Sequence, residues 1–519
     1  MQRLMAGQTS GVRDINQYAM RISRGQPAYQ REEGDTEKRL DEHVDGVWWI
    51  PGHEDQRGHG TARMFAEGLV WLDLDSDVWR DGLDREVDRG PRTAFGETSA
   101  GVPMSLHGVR FIGGQTERVS GRAHVRYVSD RLIFGAHAVG EGEVAASRMS
   151  VSYRGLREWL LSPTQGTPPP LPIVYPVSLA AADPDEDEDA PTRVDEWERK
   201  LEIAIDDVRI EMTAAKRPRS TGRYRTVFDT GAIVRLRSAE PMTLSDWRRN
   251  WIEPLRDLVL FGTREQTITL FIRGRAPDHS AAEVRVYSPP ETTIGPPDHS
   301  EYYQRDLLPS GIWGEDGFTE LIASWRNLSR RLGSVATELF DVFNTVDAPP
   351  LARLLRLTAC AEGYHRVLHD APPFQQEAHK EMVKEMIAAL PEDDGTREHY
   401  RQRLHFANSQ SQRERIRWLV ERAAEADDRL EGQARGVTRQ LVAWRNSQTH
   451  LSEGLDAPVL DDLLLLNAVL TYVLEANILL DLGIGDDTRY CLAHGHAWDD
   501  PIPTWVDVHP PCGDNTESE

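Results

Sequence analysis

Six consecutive residues near the C-terminal end, Arg445-Asn446-Ser447-Gln448-Thr449-His450, carry side chains able to cleave a phosphodiester without a metal. Arginine is a permanently charged planar fork matched to phosphate oxygens, and histidine gives or takes a proton near neutral pH. In such a site His450 acts as general base on a ribose 2′-hydroxyl or general acid on the departing 5′-oxygen. Arg445 stabilises charge on the phosphorane, and the Asn446 amide orients either group. The spacing alone carries no information. With 17 His and about 55 Arg, roughly five such pairs at three allowed separations arise by chance. Six are present, including Arg118/His124, Arg131/His137, Arg273/His279 and Arg489/His494. Context singles out 445–450: Asn follows the Arg, a long helical pattern precedes the pair, and an apolar helix follows. The structural alternative is a capping pair, because cations at a helix C-terminus stabilise its dipole with no chemistry.

The elements that must position these residues fall into two classes. Residues 1–40 are polar and without period, which reads as a loosely ordered extension. From 41 the chain shows short runs bounded by Gly, Pro and Asp: 47–50, 69–74, 122–128, 131–137, 148–153, 200–212, 231–237, 267–273 and 283–288. Alternation of apolar and polar residues in several of them predicts a β-rich first half over 41–315. A loop at 163–192 combines a proline cluster with six acids, Asp183, Asp185, Glu186, Asp187, Glu188 and Asp189. Residues 244–261 show a helical face. After 315 the period changes: Phe318, Leu321, Ile322, Trp325, Leu328, Leu332, Val335, Leu339, Phe340 and Phe343 predict one long amphipathic helix. Further helices are expected at 350–369, 376–390, 396–407, 411–446 and 459–482, with Gly483 as a C-terminal cap. The fold class is α+β and multidomain: a β-rich domain, an all-α bundle over 316–485, and an irregular tail over 486–519.

Composition narrows the partners. A formal net charge of −24 over 519 residues argues against coating nucleic acid through bulk basicity, so any polyanion site must be local. Between 397 and 445 there are 11 Arg against seven acids, a cationic segment next to the Arg/His pair. Three cysteines, Cys360, Cys491 and Cys512, are too few and too distant for a disulfide framework. No signal-like start and no run of 18 apolar residues is evident, so a cytoplasmic protein without membrane attachment is expected. Cys491, His494 and His496, with Cys512 beyond, do not follow the usual paired spacing of zinc ligands, and no metal or cofactor is expected. Trp48 and Trp49 are expected to pack, one in the β core and one over an edge.

With that context the second half resembles a HEPN domain, whose hallmark is Arg, a polar residue, a short gap and His. It is similar to the branch found in ApeA-like anti-phage proteins beyond those six residues: Phe318 to Trp325 resembles that branch's opening helix, Leu357 to Glu362 its second, and Leu479 to Ile484 its ending. The first half resembles the ApeA N-terminal domain through Gly46-Val47-Trp48-Trp49-Ile50-Pro51, Gly60, Leu69 to Leu74, Leu132 to His137, and Leu156 to Leu160. Together these islands span residues 45–485.

The resemblance implies a metal-independent endoribonuclease that forms a homodimer through its helices and joins two Arg/His pairs in one composite site. Products would be a 2′,3′-cyclic phosphate and a 5′-hydroxyl. The family setting is abortive infection: activity is held back until a phage-derived trigger arrives, with residues 41–315 as sensor or restraint, and cellular RNA, with transfer RNA a candidate, is then cut. Under this reading, removing 41–315 frees a toxic helical half. Glu362 is expected to pair with or orient Arg445. The competing reading is a non-catalytic HEPN module that dimerises or binds nucleotide in a signalling complex; the intact Arg-Asn-x3-His argues against it. An antitoxin-like acceptor of nucleotidyl groups would need a separate transferase.

Overall fold

The computed structural model describes residues 42–64, 70–75, 92–116, 123–160, 197–220, 226–275, 283–287, 315–345, 348–370, 374–391, 393–405, 408–450, 460–485, 487–496 and 500–508, with Trp79, 306–308, Trp313 and Pro372. The expected extension 1–40 and the acidic loop 163–192 lie outside them. The chain divides into two compact units, each assembled from separate stretches: 1–152, 235–247 and 269–291 in the first, and 153–234, 248–268 and 292–519 in the second.

The first unit is built on strands β1 (Glu42–Trp49), β2 (Gly58–Met64), β3 (Val70–Leu74), β4 (Arg92–Thr98), β5 (Pro103–Thr116) and β6 (Ala123–Ser129). Their hydrogen-bonded order is β4-β1-β2-β3-β6-β5, and β4 also pairs with β5, so the six antiparallel strands close into a barrel. Closure removes the open edges that would otherwise invite aggregation. In β2 and β3 every second residue is buried, and Trp48, Ala62, Leu72, Leu74, Met104, Leu106 and Tyr127 fill the interior. Trp48 sits so close over Gly96 that a Cβ there would stand 2.4 Å from its ring, and its indole N–H donates to the Gly60 carbonyl at 3.2 Å. β2, β4 and β5 escape sequence reading because glycines and polar residues dilute the alternation in GHGTARM, RTAFGET and PMSLHGVRFIGGQT. Beyond the barrel the sheet continues through β7 (Arg131–Phe134), the strands Glu283–Tyr287 and Thr269–Arg275, and β8 (Ala145–Tyr153).

In the second unit, the run expected as one strand at 200–212 is a hairpin. β9 (Trp197–Ile205) and β10 (Val208–Ser220) turn at Asp206-Asp207, where Asp206 takes φ 54°. The apolar set switches from odd positions, Leu201 to Ile205, to even ones, Val208 to Met212, because a two-residue turn resets the phase. Short helix α1 (Leu156–Leu160) belongs to this unit, as does α3 (Glu253–Thr263), which follows α2 (Leu244–Trp247) and a π-type turn.

The bundle comprises α4 (Glu315–Leu332), α5 (Ser334–Asn344), α6 (Pro350–Leu368), α7 (Gln376–Ala388), α8 (Asp394–His405), α9 (Gln412–Ala423), α10 (Ala434–His450) and α11 (Leu460–Asp481). The long helix expected over 318–343 is two, broken at Gly333 with φ 56°. The one expected over 411–446 is also two, α9 and α10, separated by a 3-10 turn at Asp428–Leu430 whose start Asp427 caps. Ser411 and Glu414 form a reciprocal capping box at the start of α9. α11 is apolar on all sides and long enough by composition to cross a bilayer, but most of it is buried among the other helices. Gly483 follows with φ 73°, the left-handed cap. The expected irregular tail contains two helices, α12 (Asp487–Gly495) and α13 (Pro501–Val508), whose Cys491, Leu492, Ile502 and Trp505 are buried.

Trp159 of α1 donates to the Leu308 carbonyl at 2.8 Å and packs on Phe318 of α4, while Trp325 of α4 donates to the Pro254 carbonyl at 2.7 Å. Segments from the first half of the chain thus form part of the hydrophobic core under the bundle.

Candidate active site

Arg445 and His450 both lie on α10, and His450 is its last residue. The helix forms because Ala434, Val437, Leu441 and Val442 recur at helical spacing and are buried against α9 and α6. The two lie five positions apart, which in an α-helix is about 7.5 Å of rise and about 140° of rotation. Arg445 therefore falls in line with the buried Ala434 and Leu441, and position 450 on the opposite side of the helix. The side chains of 446–450 lie outside the described residues. The Arg445 guanidinium stands 4.0 Å from Glu362 Oε1 of α6, with the arginine side chain 41% exposed and the glutamate 17%. The structure thus brings Arg445 near Glu362 and leaves the arginine side chain partly exposed.

A second polar cluster sits further along α6. Arg422 of α9 pairs with Asp481 of α11 at 2.7 Å, and Tyr364 and His369 also bond that carboxylate. Arg422 additionally reaches Asn477 at 3.4 Å, and Trp418 lies under His369 with ring centroids 4.5 Å apart. Burial opposes ionisation of Asp481, but hydrogen bonds from His369, Arg422 and Tyr364 outweigh it and pull its carboxyl down to about 2. His365 is fully buried beside Trp418, and neither ring nitrogen has a hydrogen-bond partner among the described residues. Burial, only partly offset by Asp370, lowers its pKa to about 4, so it is neutral at physiological pH. Sequence reading missed this cluster. The available signal was Asn477 and Asp481 at i, i+4 as polar interruptions in an apolar helix, since such groups are retained only when satisfied.

The remaining candidates have other partners. Cys491 is buried and its thiol pushed up to about 12 by that burial. His494 bonds the Asp306 carbonyl at 3.0 Å, and His496 bonds Glu475 at 2.6 Å. Burial works against the Glu475 charge, but Arg264 and His496 outweigh it and keep the carboxyl below its ordinary value. Cys512 lies outside the described residues. Trp48 fills the barrel, while Trp49 is buried edge-on to His137 with the Arg57 guanidinium 4.3 Å over its ring. Of the chance Arg/His pairs, Arg131 is bound to Glu141 at 2.6 Å, His137 stacks on Phe95, and Arg489 faces Asp428 at 3.3 Å.

No curated protein and no solved structure matches the chain. Two family models do: ApeA N-terminal domain 1 over residues 43–325, and Apea-like HEPN over residues 355–488. The second encloses Glu362, Arg445, His450 and the Asp481 cluster, and the first alone covers more than half of the sequence, so the chain belongs to the ApeA family, with an ApeA N-terminal domain followed by an Apea-like HEPN domain.

Proposed function

We propose that this protein is an anti-phage endoribonuclease that cuts RNA without a metal through Arg445 and His450. The observation that carries the reading is Arg445, held beside Glu362 and open to solvent at the C-terminal end of α10, inside the segment matched by the Apea-like HEPN family. One imidazole takes the proton from a ribose 2′-hydroxyl as its oxygen attacks the adjacent phosphorus. The 5′-oxygen leaves with a proton from a second acid, giving a 2′,3′-cyclic phosphate and a 5′-hydroxyl. Arg445 neutralises charge on the phosphorane, and Asn446 orients the reacting groups. The helical step between residues 445 and 450 favours a homodimer, in which the imidazole of one copy and the guanidinium of another converge on one phosphate. The ApeA N-terminal domain restrains this activity until a phage-derived trigger arrives.

The test is sequencing of 5′-hydroxyl RNA ends from infected cells producing wild type, Arg445→Ala or His450→Ala. New ends and growth arrest in the wild type, absent from both variants, are expected. Equal end formation in the variants would remove the assignment.

A further inference from the structure

α10 carries three arginines and no carboxylate, in a chain with 84 acids and a net charge of −24. Arg445 faces Glu362, but Arg435 and Arg439 are exposed, and neither has a hydrogen-bond or ion-pair partner among the described residues. At about 100° per residue, positions 435, 439, 443, 446 and 450 fall within about 80° of one another on the side of α10 opposite Val437 and Leu441. This outer stripe holds two unpaired guanidiniums one turn apart, then the small Ala443, then the register positions of Asn446 and His450. Arg439 and His450 are about 16 Å apart along the axis. Unpaired guanidiniums on an exposed face bind phosphate with little competition from intramolecular partners, and in an acidic protein they localise a polyanion. Glu431, one turn before Arg435, is the acid flanking the stripe, and it lies at the end away from the reacting residues.

We propose that the outer face of α10 is a track for single-stranded RNA, in which Arg435 and Arg439 hold successive phosphates and lead the strand to Asn446 and His450. They are positioning residues, and the proposal rests on the ribonuclease reading of that site.

The experiment is fluorescence anisotropy of the full chain with a 2′-O-methyl oligoribonucleotide of about ten residues, across a salt series. Blocking the 2′-oxygen removes the nucleophile, so binding is read without cleavage. Each phosphate contact to a single strand contributes about 0.7 to the slope of log affinity against log salt. Arg435→Gln/Arg439→Gln is expected to flatten that slope by about 1.4 and weaken binding about tenfold at low salt, whereas Arg435→Lys/Arg439→Lys keeps the slope. An unchanged slope and affinity in the Gln variant overturns the track, as does a change of oligomeric state with the slope unaltered, which would make this face an interface between copies. Cleavage of the unblocked oligonucleotide by wild-type protein isolated from phage-infected cells, where the trigger has been met, is followed in parallel. Its absence overturns the ribonuclease reading, while its presence with an unaltered slope overturns the track alone.

Discussion

At Arg445 the distance to Glu362 matters more than the fact of the pair. A separation of 4.0 Å is the outer limit of an ion pair, so the carboxylate biases the guanidinium toward the site without neutralising it at close range. Glu362→Gln keeps shape and removes charge. It is expected to lower single-turnover cleavage about tenfold, or about 1.4 kcal/mol, with an unchanged melting curve; a loss as deep as that of Arg445→Ala would make Glu362 a reacting group. His365 makes a separate prediction. Its folded pKa of about 4 lies below the ordinary value. The unfolded chain therefore takes up a proton as pH falls through about 6.5, while the folded chain does so only near 4. The neutral ring's stabilising contribution is complete above pH 6.5 and is lost as pH falls toward 4. From pH 6.5 to 5 this amounts to about 2 kcal/mol. Urea denaturation at both pH values should show that loss in the wild type and a smaller one in His365→Leu; equal losses would contradict it.

At the scale of elements, the helices were legible wherever an apolar stripe ran uninterrupted, as in α11, and illegible at their breaks. The stripe from Phe318 to Phe343 keeps phase across Gly333, so only the positive φ distinguishes two helices from one. A Cβ at Gly333 would meet nothing within 4 Å, so Gly333→Ala should cost about 1–3 kcal/mol from backbone strain alone, at φ 56° and ψ −123°. Thermal unfolding would check it, and an unchanged melting temperature would mean that the break is not required. The candidates Arg445, Asn446 and His450 could be picked out from the sequence because neighbours on one helix make a motif. The Tyr364–His369–Arg422–Asp481 cluster was not, because its members come from three helices and converge only when α6, α9 and α11 pack. β2 and β4 were missed for a related reason: their glycines serve partners such as Trp48 and Leu74 across the barrel, and that need is invisible along the strand.

For the whole molecule, the boundary in sequence is not the boundary in space. Residues 153–234 and 248–268 belong to the same compact unit as the helices. Trp325 stacks near Phe261, and Arg264 bonds the buried Glu475 of α11. Cutting the chain to 316–485 would remove Phe261 and Arg264 together with His496, and leave Glu475 with neither of these charged partners. The fragment 316–485 is therefore expected to melt well below the full chain or to aggregate. A fragment as stable as the full chain would contradict this. Restraint by the N-terminal domain is better tested by substitutions in the full chain than by deletion. The overall charge of −24 opposes a polyanion over most of the surface, which is why the proposed track is confined to the arginines of α10.

The proposed cleavage depends on the imidazole of His450. The most direct measurement is cleavage of a radiolabelled RNA by wild-type and His450→Ala protein purified from phage-infected cells, assayed in excess chelator with the product ends resolved. The prediction is cyclic-phosphate and 5′-hydroxyl ends from the wild type and none from the variant; cleavage by His450→Ala at the wild-type rate would contradict it.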